Sequence, residues 1–418
     1  MFKKVIFCRI CNSTNLERYL DFGSHPLAND LQEGVNLYLR KFSLEVLICE
    51  NCFLSQLSVV VDPDIMFKEY AYHSSISQTF KDHCYQMALK LKAEFQFEYP
   101  LVVDIASNDG CLLNEFKRAG YKRFLGFEPA TNLSAQPYGW IDGKPGDELG
   151  IPVVNSFFTE KIAMSTRGDK AGQGASIVTA QNVFAHVNDL HDFLRGVHWM
   201  LDDNGVFIVE VPYLPNLIEN NEFDTIYHEH ISYFLLKPLV RLFKDCSLPI
   251  FRVEKYPIHG GSIRIYASKD FYQLEDSVEL FLDEEDQEGF YDINIYRAFA
   301  KRVEKTKIEF QTLMELLYRS NKKVMGYGAS AKGISLINYC GIPKEYIHSI
   351  VDDTPAKQGK LTPGSYVPIV DFSHFDKENP DFILLLAWNF AKELIEKTAH
   401  HKERGAYHLV PIPEFKIV

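Results

Sequence analysis

The chain has 418 residues, 46% of them hydrophobic and 24% charged, with 31 Phe and 22 Tyr. At roughly 150 residues per domain the length predicts about three domains, each able to bury its own core, and the aromatic content excludes a largely disordered chain. Lys plus Arg number 44 against 56 Asp plus Glu, a net charge of −12; with no long basic run, nucleic acid and anionic membrane are poor partners, because phosphate neutralisation needs clustered cations.

The start, Met1 to Arg9, has basic residues but no apolar core of signal-peptide length. No run reaches the roughly 18 apolar residues of a membrane-spanning helix, and a cytoplasmic location is the expectation. Residues 1 to about 70 hold short β-rich runs, 43–49 and 53–61, around two cysteine pairs, Cys8-Arg-Ile-Cys11 and Cys49-Glu-Asn-Cys52. Four thiolates in two CxxC pairs match a tetrahedral structural zinc, and an all-cysteine site leaves no coordination position open for catalysis. A redox CxxC beside an unrelated pair is the alternative. Cys84, Cys111, Cys246 and Cys340 are scattered and read as small buried residues.

A helical pattern occupies about 80–100, and from Leu101 to Pro212 strands alternate with helical segments. The runs 101–105, 123–127, 176–179 and 205–211 read as buried strands, with a helix over about 189–201, which predicts a doubly wound, mostly parallel sheet. After the first strand comes Asp104-Ile-Ala106-Ser-Asn108-Asp109-Gly110, a small-residue turn where a cofactor can approach the backbone. It has one glycine where the dinucleotide fingerprint has three, so NAD fits poorly. Glu128 ends the second strand, placed to hydrogen-bond both hydroxyls of an adenosine ribose, and a glycine turn at 201–205 precedes the last strand. This order of loop, acid and late glycine turn resembles class I S-adenosylmethionine-dependent methyltransferases. A generic α/β sheet with a chance acid is the bland alternative.

The densest chemistry lies in Phe223-Asp-Thr-Ile-Tyr227-His228-Glu229-His230. In extended geometry His228 and His230 share one face and Tyr227 and Glu229 the other, although irregular backbone would bring all four into one cleft. A metal site and plain surface polarity are alternatives to acid–base chemistry, in which His takes a proton near neutral pH. His186, after the third strand, is either a ligand-facing residue or a satisfied core histidine. His259-Gly260-Gly261-Ser262 either admits a ligand to the main chain or is a tight turn. An acidic run at 283–286 precedes a helical stretch, about 296–318. Three further strands, 323–327, 347–351 and 382–387, then predict a second, smaller α/β unit. It opens with Gly326-Tyr-Gly328-Ala-Ser330-Ala-Lys332-Gly333, whose turn and helix N-terminus suit a diphosphate, with Asp352 or Asp353 at the next strand end.

Taken in order, the two CxxC pairs, residues 104–110, 126–129, 182–187, 224–230, 259–262, 326–333 and 351–359 resemble the sugar C-methyltransferase family of deoxysugar biosynthesis. The resemblance runs from about Cys8 to Pro368. It implies an N-terminal zinc-binding β domain (1–72), a central class I methyltransferase domain of Rossmann type (73–295) and a smaller Rossmann-like C-terminal domain (296–418) gripping a nucleotide-linked sugar.

The implied reaction is methylation of a 4-keto sugar nucleotide at the neighbouring carbon, C3, through an enolate. His230 is the expected base, with Tyr227 and Glu229 as the alternatives; Tyr227 would donate toward the developing oxyanion, Glu229 and His186 would orient sugar and base, and by resemblance Tyr72 would close over the sugar. Asp104, Ala106, Asn108, Asp109, Gly110, Glu128 and Asn182 would hold S-adenosylmethionine. His259, Gly260, Ser262, Gly328, Ser330, Lys332 and Asp352 would hold the sugar nucleotide, and Cys8, Cys11, Cys49 and Cys52 zinc. Departures from the family pattern are Ala106, where the family often has glycine, and two apparent insertions at 135–150 and 166–174. Three other readings stay open: an O- or N-methyltransferase of the same sugars, an NAD-dependent sugar-nucleotide oxidoreductase, and a non-catalytic zinc-ribbon scaffold.

Overall fold

A computed structural model describes the chain apart from Ala71, residues 135–139, 142–143, 146–149, 168–173 and Asp270, and apart from the side chains at 140–141, 144–145 and 259. Most of the two apparent insertions therefore lies outside the described residues.

Near the N-terminus, β1 (Leu16–His25), β2 (Phe42–Cys49) and β3 (Ser55–Leu57) form an antiparallel sheet. In β2 buried and half-buried residues alternate from Phe42 to Ile48, the period-2 pattern of a strand with one core face. A helix follows, α1 (Gln78–Glu94), whose first turn is capped by the Ser77 side chain accepting from the Phe80 N–H.

The central sheet then begins. β4 (Leu101–Ile105), α2 (Cys111–Arg118), β5 (Arg123–Phe127), β6 (Val153–Val154), β7 (Ala175–Gln181), α3 (Leu190–Met200) and β8 (Leu201–Pro212) follow in chain order. Strands β4, β7 and β8 are buried nearly throughout, as covered parallel strands must be. The next strand, β9 (Ser232–Tyr233), leaves this body and pairs with β3, completing the N-terminal sheet in the order β9-β3-β2-β1. β10 (Ile250–Tyr256) and β11 (Ser262–Ala267) return to the centre, giving the order β6-β5-β4-β7-β8-β11-β10. Only β11 runs antiparallel to its neighbours there. The cofactor loop and Glu128 thus lie together at the carboxyl ends of the adjacent strands β4 and β5, where ligands sit in open α/β sheets.

A long helix, α4 (Ile293–Arg319), capped by Asp292, leads into the last unit. There β12 (Val324–Tyr327), α5 (Ala331–Tyr339), β13 (Ile350–Val351), β14 (Ile369–Val370), β15 (Phe382–Leu385), β16 (Tyr407–Val410) and β17 (Lys416–Ile417) form a sheet ordered β14-β13-β12-β15-β16-β17. It is parallel except for β17. The fold is thus the expected α/β one, a class I methyltransferase core followed by a smaller Rossmann-like sheet. The N-terminal sheet is a wedge between the two: Leu44, Val46 and Ile48 share a core with Tyr296, Phe299 and Ile337, while Cys8, Ile10, Cys49, Cys52 and Leu54 share one with the central sheet. The four scattered cysteines are buried and unbridged, as expected. Among the described residues no helix is long and apolar enough to cross a membrane.

Candidate active site

The turn after β4 bends through left-handed backbone at Ala106 (φ 56°), Asn108 (φ 53°) and Gly110 (φ 78°), and Gly110 opens α2. The left-handed φ at Ala106 explains why glycine suits that position better. Glu128, at the end of β5, accepts the Asn108 N–H at 2.7 Å and the Ala130 N–H at 2.8 Å. Asp104 accepts the Thr179 hydroxyl at 2.7 Å. Burial pushes both carboxyls up to about 7. Asn182, at the end of β7, is also left-handed (φ 54°). Asp109 Oδ1, the amide of Gln181 and Asn182 Oδ1 are shut away from solvent without hydrogen bonds. Unmatched polar atoms at the carboxyl ends of these strands fit a polar ligand, since burying them alone is costly. The sequence-predicted cofactor residues are therefore brought together.

The 223–230 segment is a single 3₁₀ turn, Phe223–Thr225, followed by a tight turn closed by the His230 N–H on the Tyr227 carbonyl at 3.0 Å. It is not extended, so His228 and His230 do not share a face. His228 turns into the N-terminal sheet, its Nε2 3.2 Å from the Phe42 carbonyl. His230 stays at the cleft. Its Nδ1 lies 2.8 Å from the Thr225 carbonyl, which only accepts, so Nδ1 carries a proton, and in the neutral ring Nε2 keeps its lone pair. Tyr227 donates its hydroxyl to that Nε2 at 3.1 Å. The His186 ring meets His230 edge-on at 4.9 Å, and desolvation lowers its pKa to about 4, keeping it neutral. A small cavity beside His230 is lined by Thr225, Ser232 and Tyr233, whose side-chain hydroxyls are buried without partners.

Glu229 is 3% exposed, and burial raises its pKa to about 7. Its two oxygens accept from residues the local motifs do not reveal: the Asn29 amide at 2.6 Å and the Tyr70 hydroxyl at 3.1 Å. Tyr72 itself is half-exposed; its carbonyl accepts the Asn108 amide, while Ser74 and Ser75 bond Asn108 and Asp109. Residues 72–75 thus lie across the 106–110 loop, with Tyr70 rather than Tyr72 on Glu229. Elsewhere, Glu210 of β8 and Arg264 of β11 form a buried ion pair, to which the half-buried His83 of α1 is hydrogen-bonded. These residues come from elements far apart in sequence, and no local spacing marks them.

In the C-terminal sheet the loop after β12 turns at Gly328 (φ 89°), where a Cβ would stand 2.6 Å from that of Ala387. Ser330 caps α5 through the Gly333 N–H and donates to the Leu386 carbonyl, so its hydroxyl serves the loop. Asp352 accepts the Ala329 N–H at 2.7 Å and the Thr354 N–H at 2.9 Å, and pairs with Lys357 at 3.3 Å. Lys332 Nζ is buried without a hydrogen bond, 5.0 Å from the Trp388 ring centroid, and its charge favours the ionised forms of Glu222 and Asp224. Trp388 in turn donates to Asp224. Glu222 packs so closely on Gly260 (φ 96°) that a Cβ there would lie 2.2 Å from its Oε2. Gly260 and Lys332 thus meet through the 222–224 segment. Ser262 turns its hydroxyl to the Ile258 carbonyl, and the His259 side chain lies outside the described residues.

The four predicted zinc ligands converge: their sulfurs lie within 4.8 Å of one another, with Cys8–Cys52 and Cys11–Cys49 both at 3.5 Å. A tetrahedron of ~2.3 Å Zn–S bonds has edges of about 3.8 Å, so the set fits zinc. Each knuckle closes alike, with a left-handed residue after its second cysteine, Asn12 and Phe53. Asp376, His400 and His401 form a second cluster, but Arg404 already donates to the same Asp376 oxygen.

Residues 8–67 match the family model "Putative zinc binding domain", 81–248 "Methyltransferase domain" and 257–413 "C-methyltransferase C-terminal domain". C-methyltransferase NovU from Streptomyces niveus is 35% identical over 422 residues, spanning 98% of this chain and 96% of that protein. Among solved structures, magnesium protoporphyrin IX methyltransferase ChlM from Synechocystis PCC 6803 with bound SAM is 13% identical, with a TM-score of 0.33, over 45% of this chain and 78% of that one. The PH0226 protein from Pyrococcus horikoshii OT3 is 11% identical, with a TM-score of 0.36, over 50% and 96%. Structural likenesses this loose have no bearing on function.

Proposed function

This chain belongs to the S-adenosylmethionine-dependent C-methyltransferase family that carries an N-terminal zinc-binding domain, and from that premise we propose that its acceptor is a nucleotide-linked 4-keto-deoxysugar methylated at C3. A carbon becomes nucleophilic only when its proton is acidic, and a neighbouring carbonyl makes it so. The enzyme then needs a base and a donor for the enolate oxygen. The observation that carries this reading is the Tyr227–His230 pair, 3.1 Å apart with the His230 proton fixed on Nδ1.

S-adenosylmethionine, when bound, supplies an electrophilic methyl group whose leaving group is a neutral thioether. Asp104, Ala106, Asn108, Asp109, Gly110, Glu128 and Asn182 hold it. Nε2 of His230 takes the proton from C3, and Tyr227 turns its hydroxyl from His230 to the enolate oxygen. Glu229 and neutral His186 orient sugar and base, and Tyr72 covers the sugar beside the cofactor loop. The nucleotide lies against Gly328, Ser330, Lys332 and Asp352, with His259, Gly260 and Ser262 facing it across the 222–224 segment. Lys332 is shared with two buried acids, and the N–H groups of Gly328, Ala329, Ser330 and Gly333 are already bonded within the protein, so the diphosphate would rest on the first N–H groups of α5, at Ala331 and Lys332. The three parts divide at 1–72, 73–295 and 296–418.

The test is mass spectrometry of products from a panel of 4-keto-6-deoxysugar nucleotides with S-adenosylmethionine, run in deuterated water. A product heavier by one methyl on the sugar carbon, with C3–H exchange catalysed before transfer, is expected. A methyl on oxygen or nitrogen, or turnover of a keto sugar by an enzyme that catalyses no exchange, overturns the enolate reading. In His230→Gln, exchange is expected to fall by roughly 10²–10⁴ while S-adenosylmethionine binding, read by calorimetry, persists.

A further inference from the structure

Besides the His228–Phe42 and Tyr70–Glu229 contacts, the zinc-binding part of the chain meets the catalytic loop through Arg9, β3 and Asn29. Arg9, inside the first cysteine knuckle, is 9% exposed; it donates to the Ile231 carbonyl at 3.0 Å, one residue beyond His230, and to the Leu57 carbonyl. The β9 strand, beginning two residues after His230, is hydrogen-bonded to β3. Third, Asn29, in the loop between β1 and β2, places its amide 2.6 Å from Glu229 Oε1 across 200 residues of sequence. The first two contacts fix backbone. The third reaches a side chain at the reacting site.

We infer that Asn29 is a positioning residue for the methyl transfer, holding the Glu229 carboxylate toward the cleft from outside the methyltransferase fold. A carboxylate that is 3% exposed needs donors on both oxygens, and among the described residues its two donors are Asn29 and Tyr70. Each arrives from a different element, so together they leave the carboxylate one orientation. The inference rests on the role given above to Glu229. The other titratable groups near the Glu229 carboxylate are Tyr70 from the segment before α1 and Tyr227 from its own turn, while His186 meets the Glu229 backbone. Among these neighbours Asn29 and Tyr70 favour the ionised carboxyl, and burial opposes them. Removing the amide therefore moves the Glu229 ionisation to higher pH.

The experiment compares Asn29→Ala, Asn29→Gln and Glu229→Gln in the full zinc-loaded chain, with zinc content and melting temperature measured alongside. With the keto sugar nucleotide that the wild type methylates, Asn29→Ala is expected to lower kcat at least about tenfold, part of the roughly 10²–10⁴ that positioned acid–base groups supply. KM for S-adenosylmethionine is expected to stay within about twofold, the acidic limb of the kcat profile to move up in pH, and Asn29→Gln to recover part of the loss. Should Asn29→Ala not fold, Asn29→Ser serves in its place. Wild-type kcat and pH profile in Asn29→Ala, with Glu229→Gln impaired, overturns the inference and leaves the role of Glu229 standing. Wild-type kcat in Glu229→Gln overturns both. A readout without acceptor is the infrared carboxyl band lost in Glu229→Gln: its titration midpoint is expected to rise in Asn29→Ala, and an unmoved midpoint overturns the inference.

Discussion

In the central sheet, Glu128 at the end of the second strand accepts the N–H of Asn108 in the preceding loop and of Ala130 two residues on. In the C-terminal sheet, Asp352 at the end of the second strand accepts the N–H of Ala329 in the preceding loop and of Thr354 two residues on. The backbone device is the same, and the surroundings are opposite. Asp352 has Lys357 at 3.3 Å. Glu128 has no cation among the described residues and a further carboxylate, Asp109, nearby, so burial raises it to about 7. One loop has its charge answered from within; the other is left for a ligand carrying hydroxyl donors and a positive charge to answer.

Exchanging the two acids for their amides separates the loops. Glu128→Gln is expected to weaken S-adenosylmethionine binding by about 1.5–3 kcal/mol, the range of a hydrogen bond to a charged group, read by calorimetry. Equal affinity in the variant would break the comparison. Asp352→Asn is expected to leave that affinity alone and to cost about 1–3 kcal/mol of stability, because the amide nitrogen cannot accept one of the two backbone N–H groups and Lys357 keeps only the Ala329 carbonyl, read by denaturant titration. A smaller effect is the pH dependence. Glu128 and Asp104 ionise near 7 when folded and in the ordinary carboxylate range when unfolded. Their contribution to stability is full below that ordinary range and is lost as pH rises through about 7. Ribose hydroxyls favour ionised Glu128, so cofactor binding is expected to release a proton and to tighten as pH rises through about 7. Calorimetry in two buffers of different ionisation heat measures the release, which Glu128→Gln should abolish. Smallest is Ala106→Gly, where relief of the left-handed strain, ~1 kcal/mol, is partly offset by the freer unfolded chain. A melting temperature unchanged or slightly raised is expected.

Much of this was legible in the sequence because it is local. The CxxC pairs announce their own convergence, and strands such as 101–105 and 123–127 are buried runs that any packing must cover. The acids at 128 and 352 follow from strand ends. What stayed hidden depends on contacts across long stretches. Asn29 and Tyr70 on Glu229, Trp388 on Asp224, and the His83–Glu210–Arg264 group have no periodicity to mark them. The 227–230 turn was hidden differently: an alternation of residue types suggests an extended strand, but the backbone closes on itself and sends His228 away from His230.

The N-terminal sheet has a consequence in time. Its β3 edge waits for β9, about 175 residues later, and at a synthesis rate of roughly 5–20 residues per second that is a delay of about 10–35 s. During that interval the β3 edge has no partner strand, the condition that invites pairing with other chains. Asn29 likewise has no Glu229 to hold. Zinc bound by the two knuckles would hold the loops around Cys8–Cys11 and Cys49–Cys52 together before β9 is made.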